Sequence, residues 1–253
     1  MRYIMLTEER LGRIISIVDA KKTVTVQELM AELGTSESTI RRDLNTLDSD
    51  GRLTKVFGGA VAKGVTFSTT DDTVPVRENC NHAEKIEIAK YAASLIRPDD
   101  FVYLDAGTTT NLIIDFIVEK KAVFVTNSFS HAKHLSESGF HTYILGGEIK
   151  QPTEAVVGEE AVESLSKYNF TKGFWGTNGA SLSTGFSTPD VNEALIKKAS
   201  MARTREKFIV CDAGKFSRIS CVTFADFGQA TVITSKIDDD AYIECKNIVE
   251  VSK

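Results

Sequence analysis

Between residues 101 and 235, short apolar runs alternate with stretches of helical period. "FVYLD" (101–105) precedes a helix pattern near 109–119, and "AVFVTN" (122–127) precedes one near 129–138. "HTYILGG" (141–147) and "KGFWGTNG" (172–179) follow, then a helix pattern near 190–204 and "KFIVCDAGK" (207–215); "VTFADF" and "TVITS" read as further strands. Runs that are apolar throughout, rather than at alternate positions, belong to strands covered on both faces, and strands joined through helices lie parallel. The alternation restricts this region to an α/β fold with a mostly parallel, doubly wound sheet.

Five of these runs end in "DAGTTTN", "TNS", "LGGE", "GTNGAS" and "DAGK", all built of glycine and small polar or acidic residues. Such residues favour turns anyway. Five together imply more, because open α/β sheets bind ligands beyond the carboxyl ends of their strands. "AGTTTN" runs straight from a strand into a helix, so backbone N–H groups and the Thr108, Thr109 and Thr110 hydroxyls form an anion site suited to phosphate. Asp105 and Asn127 can meet sugar hydroxyls, and Lys215 can neutralise phosphate. A nucleotide is disfavoured: a Walker A loop ending at Gly214-Lys215 needs glycine where Ile209 stands, and no G-x-G-x-x-G follows a strand. A sugar phosphate is the expected ligand.

The first 62 residues have another rhythm. Leu11, Ile14, Ile15 and Val18 fall on one helical stripe, after Thr7 as the expected N-cap; Val26, Leu29, Met30 and Leu33 form a second stripe, from Thr25 to Gly34. A third helix follows Ser36 as expected N-cap, with Ile40, Leu44 and Leu47 inward and Gly51 at its close. "RLTKVFGGAVA" then places Gly58-Gly59 between two short runs, a hairpin signal. Helix, helix, tight turn, helix and hairpin is the order of a winged helix-turn-helix, whose helix after the turn enters the DNA major groove. The groove-facing candidates are Ser36, Glu37, Ser38, Thr39, Arg41, Arg42 and Asn45, with Arg52 and Lys55 on the wing for phosphates. The competing reading of Arg41 is an i, i+4 ion pair with Glu37.

The net charge of −5 does not oppose DNA binding, because it is uneven. Residues 1–63 hold 10 Lys+Arg against 9 Asp+Glu, a net +1, and the rest carries −6. Cys80, Cys211, Cys221 and Cys245 show no C-x-x-C spacing, so free thiols in a reducing cytoplasm are expected, with no metal site. No apolar run suffices for a membrane span, and the early charges of "MRYIMLTEER" exclude a secretory signal.

"SESTIRRDLNTL" and the "GGA" wing resemble the DeoR family of bacterial transcriptional regulators, which carry S-x-x-T-I-R-R-D-L-x-x-L in the recognition helix. The resemblance implies that both arginines lie at DNA and that Asp43 is structural. It extends through "DAGTTT", "VTNS", "LGGE", "VGEEA", "GFSTPDVNEALIKKA" and "CDAGKF", which match in order the family's sensor domain, similar in fold to ribose-5-phosphate isomerase. The implied effector contacts are Asp105, Gly107, Thr108, Thr109, Thr126, Asn127, Gly146, Gly147, Glu193, Lys197 and Lys215. Glu193 and Lys197, at i, i+4, have an intrahelical ion pair as their competing reading. The chain departs from the family at "DAGKFSR", where D-S-S-K-F-G is usual, and at "LGGEIK", where an arginine commonly follows the glycines.

The expected organisation is a winged helix-turn-helix over 1–62, a linker over 63–81 and an α/β sensor domain over 82–253. The expected function is a repressor of a sugar-utilisation operon, cytoplasmic and without a cofactor or catalytic residues. It would bind operator DNA as a homo-oligomer (dimer or tetramer) under a phosphorylated sugar. Fructose 1-phosphate is the first candidate, because "FWGTNGASLSTGFSTPDVNEALIKK" resembles the branch regulating fructose or related hexose use; tagatose 6-phosphate is second. The alternative is a sugar-phosphate isomerase or deaminase, with Asp105, Glu193 or Lys215 as conceivable base.

Overall fold

Where the chain changes from helical stripes to buried runs, it also divides in space: residues 1–67 and 68–253 form two units. The computed structural model describes residues 6–21, 23–56, 58–63 and 66–251.

The first unit contains α1 (Thr7–Lys21), β1 (Thr23–Thr25), α2 (Val26–Leu33), α3 (Glu37–Ser49), β2 (Leu53–Val56) and β3 (Gly59–Ala62). Ile14 and Val18 of α1, Leu29 of α2, and Ile40, Leu44 and Leu47 of α3 meet in one core with no exposed surface. Thr7 lies inside α1 rather than capping it. Thr25 does cap α2, in a full capping box: its hydroxyl accepts from Glu28 N at 3.1 Å, and the Glu28 carboxylate accepts from Thr25 N at 2.7 Å. Gly34 ends α2 at φ +60°, where a side chain would be strained. Ser36 precedes α3, but its hydroxyl bonds those of Ser38 and Thr39 instead of the helix backbone.

The wing has three strands, one more than the sequence pattern indicated. β3 lies between β1 and β2, antiparallel to both. Gly59 is not a turn residue, since the hairpin strands end at Val56 and resume at Gly59. It pairs with Thr25 so closely that a Cβ would stand 2.1 Å from the Val24 carbonyl oxygen. Glycine is required there by β1, which short-range reading could not supply.

Asp43, 4% exposed, accepts from Arg10 Nε at 2.5 Å and Arg10 Nη2 at 3.0 Å, a fork that bolts α3 to α1. The pairing holds the Arg10 guanidinium above its ordinary pKa despite its partial burial. Asp43→Ala is expected to cost the first unit about 3 kcal/mol, the low end for breaking a buried ion pair. A lower denaturant midpoint for this unit alone is the corresponding observable.

β4 (Thr66–Ser68) runs across the division in the sequence, and the second unit continues with α4 (Val74–Asn79) and α5 (His82–Ser94). Much of the stretch expected to be a linker is therefore structured: residues 68–81 belong to this unit and α4 lies within them. There follow β5 (Phe101–Leu104), α6 (Thr108–Phe116), β6 (Val123–Thr126), α7 (Phe129–Glu137), β7 (His141–Ile144), β8 (Glu148–Lys150), β9 (Ala155–Val157) and α8 (Glu159–Leu165). The remainder is β10 (Phe170–Trp175), β11 (Gly179–Ser181), β12 (Gly185–Thr188), α9 (Val191–Ala202), β13 (Thr204–Val210), β14 (Arg218–Ser220), β15 (Val222–Ala225), β16 (Thr231–Thr234) and β17 (Ile248–Glu250).

Seven strands form one wholly parallel sheet in the order β17-β16-β13-β10-β5-β6-β7. Successive residues of its inner strands enter opposite cores. Val102 and Leu104 pack with Ile88, Ile113 and Phe124, while Tyr103 packs with Trp175, Ile196 and Ile209. "VTFADF" contributes β15, which joins a small antiparallel sheet with β12 and β11 rather than the main one. From β5 the chain steps outward to β6 and β7; from β10 it steps the other way, to β13, β16 and β17. The order reverses between β5 and β10, and open α/β sheets bind ligands at the carboxyl ends of the strands beside such a switch point.

Candidate functional site

In the second unit a cleft of about 140 Å³ opens at this switch point. Its wall includes Gly107, Thr108 and Thr109 after β5, Gly176, Thr177 and Asn178 after β10, and Asp212 and Lys215 after β13. Glu193 and Lys197 reach it from α9. The first-turn N–H groups of α6 have no acceptor within the helix, so an anion at Thr108–Thr110 gains both hydrogen bonds and the helix dipole. The hydroxyl of Thr110 is spent elsewhere: it donates to the Asp105 and Gly107 carbonyls, at 2.6 and 2.8 Å as alternatives, and lies 3.2 Å from His131 Nε2.

Asp105 lies beneath the cleft, 1% exposed, ion-paired with Lys197 and accepting from Gly176 N at 3.2 Å. Burial holds its pKa above the usual carboxylate range even so. Lys197 also donates to the Gly176 carbonyl at 3.1 Å. Glu193 accepts from Lys150 Nζ at 3.0 Å and Thr153 Oγ1 at 2.7 Å. The i, i+4 pair considered for Glu193 and Lys197 is thus replaced by two pairs reaching across elements, from α9 to the residue after β5 and from α9 to β8.

Five of the expected effector residues are not in the cleft wall: Asp105, which lies beneath it, and four from the ends of β6 and β7. Thr126 and Asn127 are buried after β6: the Thr126 hydroxyl accepts from Ser128 N at 3.0 Å, and Asn127 Oδ1 accepts from Ala106 N at 3.0 Å. Asn127 therefore shapes the loop that carries Thr108 rather than the cavity. Gly146 and Gly147, after β7, are exposed; Gly147 adopts φ +143°, and a Cβ on it would come within 2.7 Å of the Val157 carbonyl oxygen. The physical reason is the strand order: β6 and β7 lie to one side of the reversal.

Several contributors went unread. Asp72, Arg77 and Cys80 come from the segment expected to be a linker, and Lys85 from α5. Asp71 accepts from Lys150 Nζ at 2.9 Å and from Asn178 Nδ2 at 3.0 Å. Lys150 also lies 3.3 Å from Asp190. Burial works against its charge, but Asp71 and Glu193 outweigh that and raise its pKa. Lys150 stands three residues after Gly147 among three carboxylates, a placement no spacing rule encodes.

His131, at 3% exposure beneath the α6 turn, has its pKa lowered by burial to about 3. A histidine neutral when folded but basic when unfolded makes stability fall with pH below its unfolded value near 6.5. From pH 7 to pH 5 the second unit is expected to lose about 2 kcal/mol through this group alone. His131→Gln would flatten that dependence, as read from urea midpoints at the two pH values.

On the first unit, Ser36, Glu37, Ser38, Arg41, Arg42 and Asn45 are exposed along α3, and Thr39 is half-buried. Arg41 Nε donates to Glu37 Oε1 at 2.8 Å, so the competing i, i+4 pair does form, between two exposed side chains. Lys55 Nζ donates to Asn45 Oδ1 at 2.6 Å and Lys55 N to Asp48 Oδ1 at 2.9 Å, which ties the wing to α3. Arg52 is exposed beside them. The result is one basic, solvent-facing edge. Among the described residues, no helix is long and apolar enough to cross a membrane.

Comparison with known proteins matches both units. The DeoR-like helix-turn-helix domain matches residues 10–64, and the DeoR C-terminal sensor domain matches residues 80–236. A Bacillus subtilis protein described as the uncharacterized HTH-type transcriptional regulator FruR is 40% identical, over 98% of this chain and all of its own. The lactose phosphotransferase system repressor of Staphylococcus aureus is 32% identical, over 98% of this chain and 99% of its own. Among solved structures, ribose 5-phosphate isomerase A from Methanocaldococcus jannaschii aligns at 15% identity with a TM-score of 0.41, over 54% of this chain and 55% of that one.

Proposed function

Since the chain belongs to the DeoR family of DNA-binding transcriptional regulators, we propose that it represses a sugar-utilisation operon and that a phosphorylated sugar in the switch-point cleft sets its affinity for operator DNA. The observation that carries this reading is the cleft itself: its wall joins a helix N-terminus with two threonines, several cations, and the carboxylate and amide groups of Asp72, Glu193, Asp212 and Asn178, which suit sugar hydroxyls. Fructose 1-phosphate is the first candidate, with tagatose 6-phosphate second; one relative is named FruR and another is a lactose phosphotransferase system repressor. α3 meets the major groove through Ser38, Arg41, Arg42 and Asn45, and the wing meets phosphates through Arg52 and Lys55.

Binding is favoured over turnover by the state of the carboxylates. An isomerase needs a free base at the substrate carbons; of the three conceivable bases, Asp105 and Glu193 are each held by a lysine, and Lys215 alone forms no ion pair among the described residues. A homo-oligomer on repeated half-sites suits a head this small.

Calorimetric titration with sugar phosphates tests the cleft. One phosphorylated sugar should bind at micromolar to millimolar concentration, and Thr109→Val should weaken it about tenfold by removing a hydrogen bond to charged oxygen. Unaltered binding by Thr109→Val would put the phosphate elsewhere.

A further inference from the structure

β7 (His141–Ile144) closes one end of the seven-stranded sheet, and no strand pairs with its outer edge among the described residues. Leu145 N donates to the Thr126 carbonyl of β6, so the N–H and C=O groups of the odd residues turn inward and those of Thr142 and Ile144 turn outward. Strands of a parallel sheet are normally covered on both faces. β7 is not: Tyr143 and Ile144, successive residues on opposite faces, are 42% and 45% exposed. Phe129 and Ile149 add exposed apolar surface beyond the carboxyl ends of β6 and β7. Tyr143 is held in place, its ring 5.0 Å from that of His141 and 6.0 Å from that of Tyr168.

The edge has no proline, lysine or carboxylate to discourage pairing. The opposite edge differs. β17 is three residues long, half-buried at Ile248 and Val249, and ends at Glu250, whose carboxylate accepts from Ile237 N at 2.9 Å. Charge also changes sign along β7. Lys120 and Lys121 are exposed at its amino end, where Lys120 Nζ donates to the Ser138 carbonyl at 2.8 Å and Glu119 is turned back onto Lys121 N. Glu148 is exposed just past its carboxyl end. Lys120, Lys121 and Glu148 form no ion pair among the described residues.

We propose that two copies of this chain pair through β7, antiparallel about a twofold axis at Tyr143. The proposal gives the homo-oligomer of the reading above an interface, and rests on that reading. An axis normal to the sheet keeps each face on its own side, so opposed residues must share a parity. The axis at Tyr143 satisfies this and sets the outward-turned groups against each other. Thr142 then exchanges hydrogen bonds with the partner's Ile144, and Ile144 with the partner's Thr142. Tyr143 faces the partner's Tyr143 as a non-hydrogen-bonded pair, where side chains approach most closely. Antiparallel pairing also brings the basic end of each β7 toward the acidic end of the other, twice per dimer.

Sedimentation equilibrium of the full chain and disulfide trapping test this. Wild type should associate. Ile144→Lys places a charge on an exposed position and should raise the dissociation constant about tenfold or more, since the change enters the interface twice. The trapping variants are made in a chain whose exposed Cys80 and Cys221 are replaced by serine. There Tyr143→Cys should form a covalent dimer under mild oxidation, because the Cα atoms of a non-hydrogen-bonded pair lie about 4.5 Å apart. Ile144→Cys, about 8 Å from its symmetry mate, should be trapped far less. An association that Ile144→Lys leaves intact, or trapping no stronger at 143 than at 144, would overturn the interface and leave the homo-oligomer standing. A wild type that stays monomeric would overturn both.

Discussion

Alanine at Arg42 should weaken operator binding by about ten- to a hundredfold per half-site, the value of one bidentate arginine contact. Arg42 is exposed on α3, directly before the buried Asp43, and forms no ion pair among the described residues. Its guanidinium is free to reach DNA without breaking anything. Arg41 differs, because it must first leave Glu37. An exposed i, i+4 pair is worth only about 0.3–0.5 kcal/mol, so the pair is a small toll rather than an obstacle. Arg41→Ala should therefore also weaken binding, and Glu37→Ala should strengthen it slightly by removing a carboxylate from the DNA-facing edge. The salt dependence separates the two roles. An arginine on phosphate lowers the slope of log affinity against log salt by about one, whereas one on a base edge relaxes sequence preference. If both alanine variants bound operator like wild type, α3 would not be the groove-facing helix.

The largest stability effect is expected at the floor of the cleft. Lys197→Met leaves the Asp105 carboxylate 1% exposed with only the Gly176 N–H as partner, and breaking a buried pair in this way costs about 3–5 kcal/mol. Adding Asp105→Asn should restore much of that loss, since the stranded charge then disappears; the double variant separates charge pairing from mere packing. Its melting temperature should lie between those of Lys197→Met and wild type. The effector response should still be damaged, because Lys197 lines the cleft beside Glu193. Equal melting temperatures for Lys197→Met and wild type would mean that Asp105 is neutral in the folded protein and that no ion pair forms there.

The architecture was legible because both of its signals are local. Stripes at Ile14/Val18 and Ile40/Leu44/Leu47 locate the head helices, and "FVYL" and "VFVT" locate strands covered on both faces. The cleft was legible where the chemistry is contiguous, as in "AGTTT", or where resemblance supplied Glu193 and Lys197. Strand order is not local, and it separates strand ends that line the cleft from those that brace it. Asn127 and Gly147 carry the residue types of a binding loop but are demanded by Ala106 N and the Val157 carbonyl. Lys85, Arg77 and Asp71 sit in ordinary helical or polar sequence, and only the folded chain brings them to Thr108 and Lys150.

The most direct measurement is the affinity of the full-length protein for DNA upstream of its own operon, titrated with sugar phosphates and their unphosphorylated parents. A single phosphorylated sugar should change the apparent affinity by about tenfold or more, within the usual range of coupling between two sites, and its parent sugar should leave it unchanged. Operator binding indifferent to every sugar phosphate, or consumption of one of them in the absence of any DNA binding, would contradict the account.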